Sequence, residues 1–170
     1  MLRQIDAGVA PFVKASVARF CFRFFEPLMN EAAMRRMELE QGLHRAIEQE
    51  EFVLFYQPKY NVQSGRMIGV EALIRWNHPS FGIVPPSEFI PLAEETRLIL
   101  PLGEWILRTA CAQNKAWQQA GYPPIKVAVN LSMLQIREDY LVPLLARTLE
   151  ETGLDSRFLE LEIRGARVLF

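Results

Sequence analysis

Residues 69–79 read GVEALIRWNHP, an apolar run that carries a carboxylate at Glu71 and a guanidinium at Arg75. Side chains of a strand alternate between faces with a period of two. Met67, Gly69, Glu71, Leu73 and Arg75 therefore share one face, and Ile68, Val70, Ala72 and Ile74 share the other. The second face is wholly apolar, as a core surface requires. The first places a carboxylate among apolar neighbours, and a buried carboxylate is costly unless it is paired or bound to a cation. What else reaches that face decides both fold and function.

Three other segments read as strands. The first is EFVLFYQPKY (51–60), ended by Pro58 and followed by the turn NVQSGR. The others are KVAVNLS (126–132) and FLELEIR (158–164). Helices are expected from Glu31, with Asn30 as a fair N-cap, to Glu50, from Ser87 to Thr96, from about Leu102 to Ala120, and over 138–152 with a stop at Gly153. NHPSFGIVPP (77–86) reads as a loop rich in proline and glycine. From GVEALIRW onward the order is strand, helices, strand, helix, strand, the alternation of an α/β fold with parallel strands. Residues 1–34 stand apart as an N-terminal segment. Within it, VARFCFRFF (17–25) reads as a short edge strand or as an amphipathic membrane-surface segment.

Composition narrows the functional classes. The 170 residues carry a formal charge of −1 and are half apolar, enough for a real core. Neither a basic footprint for a nucleic acid polymer nor an acidic tail is present. Cys21 and Cys111 lie far apart with no metal-type spacing, as in a reduced, cytoplasmic protein. No apolar run approaches the roughly 18–20 residues that span a bilayer, and Asp6 interrupts any signal-peptide pattern.

The period of two also places the polar groups. Val53, Phe55 and Gln57 share a face, as do Ala128, Asn130 and Ser132, and as do Phe158, Glu160 and Glu162. Glu71, Asn130 and Glu162 thus offer three oxygen ligands from neighbouring strands, a set suited to a hard cation such as Mg²⁺ or Mn²⁺. A purely structural reading is also open. Glu71 can pair with Arg75, Asn130 can cap the turn after its strand, and Glu160 and Glu162 can lie on a solvated edge.

Over roughly residues 35–164 the chain resembles the EAL domain family. The segments that carry the likeness are LELEQGLHRAIEQEEFVLFYQPKYN, SGRMIGVEALIRWNHP, GIVPPSEFIPLAEET, LGEWILRTACAQNKAW, VAVNLS and LELEI, in family order. The resemblance implies a variant (β/α)₈ barrel and a cyclic di-GMP phosphodiesterase, which hydrolyses one phosphodiester bond to give the linear dinucleotide. It implies metal ligation by Glu71, Asn130 and Glu162, contacts of Gln57 and Arg75 with the dinucleotide, and two divalent metals, Mg²⁺ or Mn²⁺. FRFFEPLMN is similar to the end of a GGDEF domain and its linker. Arg75 is also expected to help keep Glu71 ionised.

A full barrel of this type needs about 250 residues, and the family's later motifs are absent: the paired Asp strand end, the catalytic Lys, and a later Glu and Gln. Where the family reads LEITES, this chain reads LEIRGA, with Arg164 and Gly165. The expectation is a partial barrel, about its first half, over 35–170, catalytically incomplete alone and weak in binding cyclic di-GMP. A non-catalytic binding module or gene remnant is the alternative. Such a half barrel is expected to expose Val53, Phe55, Leu73 and Phe158 on its inside, and to self-associate through the strand carrying Leu159, Leu161 and Ile163.

Overall fold

The computed structural model describes residues 27–137 and 139–163. The readings for 17–25, for the GGDEF-like start and for Arg164 and Gly165 lie outside the described residues. The chain divides into a unit ending at Leu39 and a unit running from Glu40.

Helix α1 (Pro27–Glu48) begins earlier than expected. Proline at the first helical position loses no intrahelical bond and has its φ already set, so Pro27 starts the helix and Asn30 lies within it, not at its cap. In the second unit, Leu43 and Ala46 are fully buried. Glu50 takes a left-handed φ of 56° to turn the chain out of α1. Glu51 then accepts from Trp76 Nε1 at 2.9 Å.

Strands β1 (Phe52–Tyr60) and β2 (Met67–His78) form an antiparallel hairpin that sets Gln57 opposite Glu71 and Phe55 opposite Leu73. Its turn is closed by Asn61 Oδ1, which accepts from the Ser64 N–H at 2.9 Å, and by Gly65 at φ 65°. Pro58 does not end β1 as expected. In the described sheet β1 is an edge strand, where a missing N–H removes no ladder bond on the open side. A third strand, β3 (Gly82–Val84), falls in the stretch read as a loop. It pairs with Trp76–His78. Three residues flanked by glycine and proline carry too little pattern to reveal a strand.

Helices α2 (Pro86–Glu95) and α3 (Ile99–Gln119) follow. Pro101 lies in the first turn of α3, where its missing N–H costs nothing, so α3 begins before Leu102. Strand β4 (Lys126–Leu131) leads into a single turn, α4 (Met133–Ile136). The helix expected over 138–152 is α5 (Leu141–Thr152), ended by Gly153 at φ 65° as expected. Strand β5 (Leu159–Ile163) starts one residue after Phe158, which belongs to a 3₁₀ turn capped by Asp155 and not to the strand.

The sheet order is β1-β2-β4-β5, with β2, β4 and β5 parallel. This is part of a (β/α) barrel wall. Its outer face is the core. Ala72, Ile74, Trp76, Val127, Val129 and Leu131 lie under Phe89 of α2 and Leu102, Leu107 and Ala110 of α3, all buried. Phe52, Trp76 and Phe89 form an aromatic cluster with centroids 5.6–5.8 Å apart. Burying each such side chain contributes about 1.5–3 kcal/mol. Buried Asn114 ties α3 to the strand starts, donating to the carbonyls of Ile125 at 3.0 Å and Phe158 at 3.3 Å. The inner face is more open, as expected: Phe55 is 47% exposed. On the outer face of β5, Leu161 and Ile163 are exposed among the described residues.

Between β1 and α3, the Tyr56 ring meets Trp117 edge-on at 4.9 Å. Burial, and then the neighbouring Cys111, pushes the Tyr56 phenol up to about 12. Burial alone pushes the Cys111 thiol up to about 11. Both groups hold their protons more tightly when folded than when unfolded. Their contribution is therefore complete below the ordinary thiol value and is lost as pH rises through 11 to 12. Unfolding free energies from urea titration should fall over this alkaline range, by about 2–3 kcal/mol for Cys111, and Cys111→Ala should flatten that fall.

Candidate functional site

The inner face of the sheet gathers the polar residues, and one close approach sets their positions. A Cβ at Gly69 would lie 2.8 Å from the Lys126 carbonyl oxygen. With no side chain there, β2 and β4 pair from Gly69↔Lys126 to Ala72↔Val129. Asn130 therefore stands one step beyond Ala128, the partner of Glu71, and donates from Nδ2 to Glu71 Oε1 at 2.7 Å. An ionised carboxylate only accepts, so this bond fixes the amide with its oxygen turned away. That oxygen, Asn130 Oδ1, is buried and has no hydrogen-bond partner.

The capping alternative for Asn130 does not hold, because Ser132 caps α4. Its hydroxyl accepts from the Gln135 N–H at 3.4 Å, and the Gln135 side chain accepts from the Ser132 N–H at 3.0 Å. This reciprocal capping box leaves the Asn130 side chain free for the sheet face.

Glu162 lies level with Asn130, yet its carboxylate is taken up by the Lys59 ammonium in a close ion pair. Lys59 also lies 3.5 Å from Glu160, which in turn lies 3.8 Å from Lys126. The hydrogen bond to Glu162 raises the Lys59 ammonium above its ordinary value, against the opposing effect of burial. Glu160 and Glu162 are thus paired across the inner face and do not form a merely solvated edge. Of the three expected oxygen ligands, Asn130 is bonded to Glu71 and stands level with Glu162 on the neighbouring strand. Among the described residues, no group of three or more His, Cys, Asp or Glu is placed to hold a metal ion.

Arg75 shares the inner face with Glu71, four residues further along β2. It donates from Nη1 to the Ile74 carbonyl at 2.8 Å and lies over the Phe55 ring at 5.7 Å. Gln57 is exposed beside Glu71 on β1. Beyond Ala72 and Val129 the two parallel strands part. A largely apolar cavity of about 500 Å³ opens there, lined by Leu73, Pro86, Ser87, Ile90, Asn130 and Gln135 among others.

Lys59 is the residue that sequence reasoning missed. Its signal was present, since the period of two that puts Gln57 on the inner face puts Lys59 there as well.

An α/β barrel wall with its polar residues on the inner strand face defines a class; comparison with known proteins gives the family. The model of the EAL domain matches residues 40–169, and the chain belongs to that family. The bifunctional diguanylate cyclase/cyclic di-GMP phosphodiesterase MucR of Pseudomonas aeruginosa is 41% identical over 94% of this chain and 23% of its own length. The cyclic di-GMP phosphodiesterase PA2567 of the same organism is 40% identical over 81% of this chain and 24% of its own. The solved MucR phosphodiesterase in complex with cyclic di-GMP superposes with a TM-score of 0.71 at 44% identity, covering 73% of this chain and 50% of that one. The EAL enzyme Bd1971 with cAMP and cyclic di-GMP bound gives a TM-score of 0.70 at 25% identity, covering 91% of this chain and 42% of that one. The chain thus spans about a quarter of the length of these curated relatives and half or less of these solved chains. Phosphodiesterases of this family depend on divalent metal. No helix among the described residues is long and apolar enough to cross a membrane.

Because the Gly69 approach is to backbone, relief requires the strands to move. Gly69→Ala should cost about 1–3 kcal/mol in denaturant unfolding, a larger loss than alanine at exposed Gly65 would cause.

Proposed function

We propose that the chain is the EAL part of a cyclic di-GMP phosphodiesterase, with residues 35–170 in that domain and residues 1–34 preceding it. The observation that carries this reading is the buried, unpartnered Asn130 Oδ1 beside the Glu71 carboxylate. An orphaned buried acceptor is costly, and an all-oxygen donor set suits a hard cation. On this reading Glu71 and Asn130 hold a divalent metal, Mg²⁺ or Mn²⁺, and Glu162 joins them from β5. The bound metal supplies charge for a phosphate oxygen and lowers the pKa of an attacking water. Arg75, one of whose nitrogens is already anchored on the Ile74 carbonyl, keeps further N–H groups for phosphate oxygens. Gln57 contacts the dinucleotide beside Glu71. The proline- and isoleucine-walled cavity next to Asn130 receives a flat base. The buried free thiol of Cys111 fits a reducing compartment, hence the cytoplasm.

A second reading, a binding module without turnover, is favoured by one observation. Glu162 is occupied by Lys59. For the 170-residue polypeptide by itself we expect binding without hydrolysis. Incubation with cyclic di-GMP and Mn²⁺ should yield no linear dinucleotide; turnover that Glu71→Ala abolishes would show that two copies complete the site. Calorimetry should give micromolar or weaker binding, reduced about tenfold by Arg75→Ala and by Ser87→Trp at the exposed cavity lip. Binding unchanged in both variants would sink the reading.

A further inference from the structure

The inner face carries more positive charge than a metal site needs. Lys59 and Lys126 stand among Glu160 and Glu162, and Lys59 reaches Glu162 from the far side of two intervening strands. That reach depends on what lies beneath it. Between β1 and β5 the floor under the ammonium is Gly69 and Ala128, the smallest side chains on this face, and Lys59 lines a cavity of about 210 Å³ with both of them and with Glu160. Larger residues at either position would block the path. The pair is therefore built into the sheet, and is not a chance encounter of two surface side chains.

We propose that Lys59 is an internal counter-ion that competes with the divalent cation for Glu162, so that metal binding requires the Lys59 ammonium to leave that carboxylate. The inference rests on the reading of Glu162 as a metal ligand. A carboxylate accepts from the ammonium and binds a cation through the same oxygens. Lys59 balances Glu162, while Glu71 and Asn130 are bonded to each other. When a cation takes Glu162, the Lys59 side chain is repelled by it and retains Glu160, 3.5 Å away, as an alternative partner. Lys59 is in this sense a positioning residue. It sets how much cation is needed to complete the site, and it touches no reacting atom.

The test is Mn²⁺ affinity of the 170-residue chain, read from the electron paramagnetic resonance signal of free Mn²⁺, with no turnover required. Lys59→Met keeps the length of the side chain at a partly exposed position, and its thermal melt checks that it folds; Lys59→Gln serves as a second variant. Both should bind Mn²⁺ about tenfold more tightly than the unaltered chain. The gain should vanish when Glu162→Gln is also present, because the competition runs through that carboxylate. Unchanged affinity in both Lys59 variants overturns the proposal and leaves the metal site standing. A gain that persists with Glu162→Gln also overturns it, since the effect is then one of general charge. If neither the unaltered chain nor any Lys59 variant binds Mn²⁺, the metal reading itself fails, and the competition with it.

Discussion

Gly69 meets the backbone of Lys126 more closely than any side chain would permit, and the arrangement of the inner face follows from that approach. Parallel strands have no turn to fix their register; it is set by which residues can lie side by side. Gly69 beside Lys126 puts Glu71 beside Ala128, and Asn130 beside Glu162 on the next strand. A slip of one residue would send Asn130 to the outer face and turn Val127, Val129 and Leu131 inward. The burial of that outer face under α2 and α3 opposes such a slip at about 1.5–3 kcal/mol for each large side chain displaced.

Within that register, two amides share the work of two different sites. Gln135, buried on α4, satisfies the end of β4 through the capping box with Ser132. Asn130, two residues before Ser132, is thereby released from capping and spends its only donor group on Glu71. Without the box, the exposed ends of the turn would compete for the Asn130 side chain, as such residues commonly do at strand-to-helix junctions. The hydrogen-bond economy of the turn and the open oxygen on the sheet face are one arrangement.

The strands, their faces and the polar residues on them were legible because a period of two survives in every strand that packs helices on one side. Glu71, Asn130 and Gln57 stand on the face that the alternation assigns them. What the sequence did not reveal has distinct physical causes. The strand at Gly82–Val84 is only three residues long, and its pairing is decided by β2, not by its own composition. The helices α1 and α3 start earlier than expected, with Pro27 and Pro101 in their first turns, where proline removes no bond. The partner of Glu162 was missed because it comes from β1, far away in sequence. Only the curvature of the sheet brings the two together.

That curvature has its own consequence for the charges. In a flat sheet, β1 and β5 would be three strand spacings apart, roughly 14 Å. Lys59 and Glu162 could span that distance only with both side chains lying fully along the surface. Their close pairing means that the sheet is bent into a trough, as a barrel wall must be. The bend also concentrates charge. Three carboxylates, Glu71, Glu160 and Glu162, face three cationic groups, Lys59, Lys126 and Arg75, on one concave surface. The cations divide along the strands. Arg75 lies toward the C-terminal end of β2, away from the two lysines, so the trough has a lysine-rich end and a guanidinium end. The carboxylate and amide pair of Glu71 and Asn130 lies between them.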